Sequence, residues 1–111
     1  MDRSVILAKA VLKTGAILGI ELDQLARVLG VDYTTILQLT ALNPDSKQGE
    51  HAIILIRIFR LLYELNGGDM QWIRLYMNSP NHSTGGIPLQ QIQQEIGLIK
   101  VLESLERISP K

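Results

Sequence analysis

Few side chains in this 111-residue chain can make or break bonds. Its only histidines, His51 and His82, stand in different segments. Glu50 beside His51 lacks metal-ligand spacing, so His51 is expected at a solvated helix start. His82 is followed by Ser83 and Thr84, but sequence neighbours do not by themselves form a nucleophile–base pair, and a turn or rim role is expected. Glu95, Glu103 and Glu106 are spaced as a solvated helix face, with Glu103 and Arg107 paired four apart, and give no facing carboxylates. Gly85-Gly86 lacks the following Lys-Ser/Thr of a phosphate cradle. There is no cysteine, which excludes disulfides and thiolate metal sites. The reading is a non-enzyme without metal or cofactor, whose chemistry is recognition.

Two segments carry that recognition. The first is residues 22–39, patterned as a helix-turn-helix. Ala26 is small enough for two helices to cross closely, Gly30 supplies a left-handed turn, and Val31 plugs the corner. Leu25, Leu29, Ile36 and Leu39 close a shared core. If the second helix enters a major groove, Tyr33, Thr34, Leu37 and Gln38 face outward, and Thr and Gln can hydrogen-bond base edges. That helix carries no Arg or Lys; Arg27 before it and Lys47 after it are the nearest cations for phosphate. Exposed Leu37 leaves open a second reading, in which this surface meets a protein.

The second segment is residues 72–89, where a helix stops at Asn78-Ser79-Pro80-Asn81, passes through Gly85-Gly86 and restarts at Pro88, well placed for a first helical turn. So many special-backbone residues point to a surface of fixed shape. Trp72 is read as a core anchor or an interface hot spot. Asn81 is expected to hydrogen-bond loop backbone, and Gly85-Gly86 to allow a tight turn or close approach by a partner.

Helices must position both segments, because no alternating run suggests a convincing strand. The expected helices cover residues 4–14 with Ser4 as cap, 22–29, 33–42 capped by Asp32, 49–65, 69–77 capped by Asp69, and 88–108, continuous or broken near Gly97. On the first helix Ile6/Leu7, Ala10/Val11 and Ile17/Leu18 should face inward. The fourth is apolar nearly all round except for a stripe of Arg57, Arg60 and Glu64, so other helices or a second subunit must cover it. Hydrophobic content of 46% is enough for a core. The fold expected is all-α: one compact multi-helix domain of two lobes, residues 1–48 with the helix-turn-helix and 49–111 with the long helix and C-terminal lobe. Eleven basic and eleven acidic residues cancel, so nucleic-acid binding would need local clustering or oligomerisation. Lys9 and Lys13 interrupt the N-terminal apolar run, no cleavage site follows, and no membrane span is present; a soluble cytoplasmic protein is expected.

The helix-turn-helix, the long apolar helix and the series Trp72, Pro80-Asn81, Gly85-Gly86, Pro88-Leu89, Gly97, Val101, Leu105, Arg107-Ile108 together resemble the Xre/MbcA/ParS antitoxin family over residues 22–108. The resemblance implies a C-terminal domain that binds and blocks a RES-type toxin that depletes NAD, and an N-terminal domain that represses the operon, usually as a dimer. It places partner contacts at Trp72, Asn81, Gly85, Gly86, Pro88 and Arg107; the DNA contacts would be Arg27, Tyr33, Thr34, Gln38 and Lys47. Relatives typically extend past Arg107-Ile108 with an acidic and aromatic tail, so neutralisation by an inserted C-terminus is not expected here. A stand-alone regulator and a protein-interaction module without DNA binding are the alternatives.

Overall fold

The computed structural model describes residues 2–109 and is all-helical, with seven helices and a single isolated β-bridge among these residues. Pro110 and Lys111, on which the tail expectation bears, lie outside them. Helix α1 (Arg3–Leu18) is capped by Asp2, whose side chain accepts from the Ser4 amide, so the helix starts ahead of the expected Ser4 cap. It buries Leu7, Ala8, Val11 and Leu18 but turns Ile6 to solvent, against expectation.

Helix α2 (Leu22–Leu29) ends at Gly30, whose φ of 77° lets its amide reach the Ala26 carbonyl. Helix α3 (Tyr33–Leu37) starts at the Asp32 cap as expected but stops after five residues, not ten. The Leu42 amide donates to the Ser4 carbonyl and its side chain is buried, so the chain leaves the helix to return along α1. The Asn43-Pro44 step also disfavours helical backbone there.

Helix α4 (Lys47–Leu65) begins two residues earlier than expected, because Ser46 caps it by accepting from the Gly49 amide. It packs against α1 and α7. Its inner side is Ala52, Leu55, Ile58 and Leu62, all fully buried, while Ile53 and Tyr63 reach solvent with Arg57, Arg60 and Glu64.

Helix α5 (Met70–Asn78) is capped by Asp69 through the Trp72 amide. The last segment breaks before Gly97, into α6 (Pro88–Gln91) and α7 (Glu95–Ile108). Gly97 lies inside α7 for another reason: a Cβ there would collide with the Gln91 backbone oxygen, so the glycine lets α7 start hard against the end of α6. Leu98, Val101 and Leu105 form the buried face of α7. No helix among the described residues is long and apolar enough to cross a membrane.

Candidate recognition surfaces

In the C-terminal region α5 divides its apolar residues between two sides. Ile73 and Met77, four apart, are fully buried and anchor the helix. Trp72 is 39% exposed and Leu75 64% exposed. Trp72 stacks on Tyr76 with ring centroids 5.6 Å apart and planes 20° from parallel. The core-anchor reading of Trp72 is thereby corrected: its smaller neighbours fill the core, and the indole is left at the surface. Tyr76 is half-buried and its hydroxyl has no partner among the described residues. Burial without a stabilising donor pushes the phenol up to about 12.

The connection after α5 is held from within. The Asn81 amide donates to the Gly86 carbonyl and the Gly85 amide to the Asn81 carbonyl, each at 2.9 Å. The Asn81 carboxamide oxygen accepts from the Thr84 amide at 3.1 Å, the backbone role expected for it. Thr84 is the centre of the loop. It is buried, its hydroxyl lies 3.3 Å from the Asn81 carbonyl oxygen and 3.2 Å from that of Gly86, and its carbonyl accepts from the Gln91 amide nitrogen at 2.6 Å. Gly85 makes the turn with φ 81°, and Pro88 is buried at the first turn of α6. Gly86 faces the Gln91 side chain, where a Cβ would be crowded at 3.1 Å. Arg107 is exposed near the far end of α7, about 18 Å along the axis from Glu95. The sequence singled out Asn81 and the glycines but missed Thr84, Gln91 and Leu75. Thr84 and Gln91 interact seven residues apart, a spacing no local pattern reports.

In the N-terminal region Tyr33, Thr34, Leu37 and Gln38 are all exposed, as expected. The Thr34 hydroxyl, however, donates to Asp32 at 3.0 Å. Hydrogen bonds from Thr35, then Thr34, hold the Asp32 carboxyl below the usual range, keeping a negative charge at the start of α3. An open hollow of about 550 Å³ beside this helix is rimmed by Glu21 and Asp23.

The two expected phosphate cations are both engaged. Arg27 donates from Nε to Gln93 Oε1 at 2.7 Å and from its terminal nitrogen to Asp23 at 3.3 Å. Lys47 Nζ lies 2.7 Å from Glu95 Oε2. Glu95 in turn lies 3.2 Å from His51 Nε2, and His51 Nδ1 is 3.1 Å from the Val28 carbonyl oxygen. Glu95 raises the Lys47 pKa, and Lys47, then His51, lowers that of Glu95. His51 is only 8% exposed, which overturns the solvated helix start expected for it: its four-residue spacing from Lys47 puts both on one side of α4, facing α7. Glu103 and Arg107 form no ion pair among the described residues; Glu106 pairs with Arg57 at 2.7 Å instead.

Residues 61–109 match the family model described as the antitoxin Xre/MbcA/ParS C-terminal toxin-binding domain. The match runs from the last turn and a half of α4 through α5, the 79–87 connection, α6 and α7. No curated protein matches the chain.

Proposed function

Because residues 61–109 match an antitoxin toxin-binding domain, we propose that this protein is the antitoxin of a toxin–antitoxin pair and works by docking a helical surface onto its toxin. The observation that carries this reading is the division of α5: Ile73 and Met77 fill the core, so Trp72 and Leu75 stay exposed beside a loop braced by Thr84. Exposed aromatic and aliphatic anchors on a rigid frame bind with little ordering cost. Trp72, Asn81, Gly85, Gly86, Pro88 and Arg107 are the assigned contact region, with Leu75 added. The toxin is of the NAD-depleting RES type, and inhibition is steric, by covering its cleft. The antitoxin itself performs no catalysis and acts in the cytoplasm.

Residues 49–111 form the toxin-facing lobe and residues 1–48 the operator-facing one. There the α2–α3 pair acts as a helix-turn-helix, with Tyr33, Thr34 and Gln38 reading bases and Arg27 and Lys47 meeting phosphates, so that the protein represses its own operon. A homodimer doubles a phosphate attraction that zero net charge leaves weak in one copy. The negative Asp32 at the start of α3 favours a second reading, a protein-interaction module without DNA contact.

Co-expression with the adjacent reading frame, followed by affinity capture and a toxicity assay, tests the antitoxin role. Co-purification and restored growth are expected. If no adjacent toxin-sized product is captured, the antitoxin assignment falls. A mobility-shift titration across salt separates the DNA readings: no binding to the upstream region at low salt leaves the interaction module.

A further inference from the structure

The segment between α6 and α7 touches the N-terminal half at three side chains. Gln93 is held on α6 by donating to the Leu89 carbonyl at 3.0 Å, which leaves its oxygen for Arg27 at 2.7 Å. Two residues on, Glu95 accepts from Lys47 and lies beside the buried His51. His51 faces the Val28 carbonyl with its other ring nitrogen, so the same cluster reaches the last turn of α2. Arg27 and Lys47 lie in segments far apart in sequence, yet both are bound by residues only two positions apart. A phosphate approaching either cation meets a neutral oxygen on one and a carboxylate on the other.

We infer that the α6–α7 junction is an autoinhibitory clasp, in which Gln93 and Glu95 occupy the two cations that would otherwise contact the DNA backbone. The inference rests on the DNA-binding reading above. DNA must displace both partners to use Arg27 and Lys47, so the resting protein binds duplex more weakly than its side chains allow. Glu95 also repels phosphate directly. Glu95→Gln removes that charge but keeps an oxygen for His51, and Gln93→Ala frees Arg27 without touching the Lys47–Glu95–His51 cluster.

The test is fluorescence anisotropy of the full chain with a duplex from its own upstream region, titrated at several salt concentrations. Glu95→Gln should bind about threefold to fivefold tighter at low salt, the scale of one exposed ion pair. The slope of log affinity against log salt should steepen by up to about 0.9 for each cation released to phosphate. Gln93→Ala should show a smaller change of the same sign. If the unaltered protein binds and both variants match it in affinity and slope, the clasp is refuted while DNA binding stands. If no form binds duplex, the clasp and the DNA-binding reading fall together. Gln93→Ala gives an independent answer should Glu95→Gln unfold, because it leaves the buried imidazole contacts intact.

Discussion

The α2–α3 pair and the α5–α6 region are both small helical corners with buried apolar residues, but they use their outer surfaces differently. On α2–α3 the exposed residues are mostly polar, the start of α3 is anionic and the neighbouring cations are taken up by side chains from the other half. On α5–α6 the polar groups turn inward to brace the loop, and apolar side chains are left outside. The first surface has free hydrogen-bonding groups but little net attraction for a polyanion. The second has desolvation energy available and a frame that need not be ordered on contact. A rigid loop braced by buried hydrogen bonds and an exposed aromatic pair suit a protein partner better than a nucleic acid.

The largest expected effect comes from Gly97→Ala. Its Cβ would collide with the Gln91 backbone, and moving backbone rather than a side-chain tip should cost about 3 kcal/mol, read by urea denaturation. A variant as stable as the parent would show that the α6–α7 junction is soft, and the contrast between a braced region and an open one would weaken. Next is Trp72→Ala, which should weaken toxin binding by about 2 kcal/mol or more in calorimetry while changing folding stability much less. Equal losses in both would return the indole to the core. Thr84→Val should destabilise the chain by about 1–2 kcal/mol, because the loop loses a buried hydroxyl donor; hydrogen exchange at the Gly85 and Gly86 amides would locate the damage.

The smallest effects are those of pH, and they differ between the regions. Glu95 has a folded pKa below its ordinary 4.5, so its contribution is present above that value and lost as pH falls through the lower folded one. Acid should therefore loosen the joint between the halves, and Glu95→Gln should flatten the acid limb of Tm against pH. Tyr76 behaves oppositely. Its folded pKa of about 12 exceeds the ordinary 10, so stability is intact below pH 10 and falls as pH rises towards 12. Absorbance of phenolate should show one tyrosine ionising last, and Tyr76→Phe should remove that component.

Local chemistry made much of the architecture readable. Gly30 ends α2 because its positive φ suits a residue without Cβ, and Asp32 and Asp69 start their helices because a carboxylate three residues ahead reaches an unpaired amide. Asn81 and Gly85 marked the turn for the same kind of reason. The family-like series from Trp72 to Ile108 was legible as spacing, and its match over residues 61–109 lies where the special-backbone residues cluster.

Where the reading went astray, the deciding partner was distant. Helix α3 ends early because Leu42 finds Ser4, His51 is buried because Glu95 and Val28 receive it, and Gly97 is needed for Gln91 rather than for a kink. Trp72 looked like a core residue by size, but helical phase puts Ile73 and Met77 on the inner side and leaves no room for it. Sequence alone determined where helices begin and turn, since caps and left-handed glycines act within four residues. Tertiary structure alone decided which charges are free and which apolar groups stay outside, since both depend on contacts across 40 to 70 positions of chain.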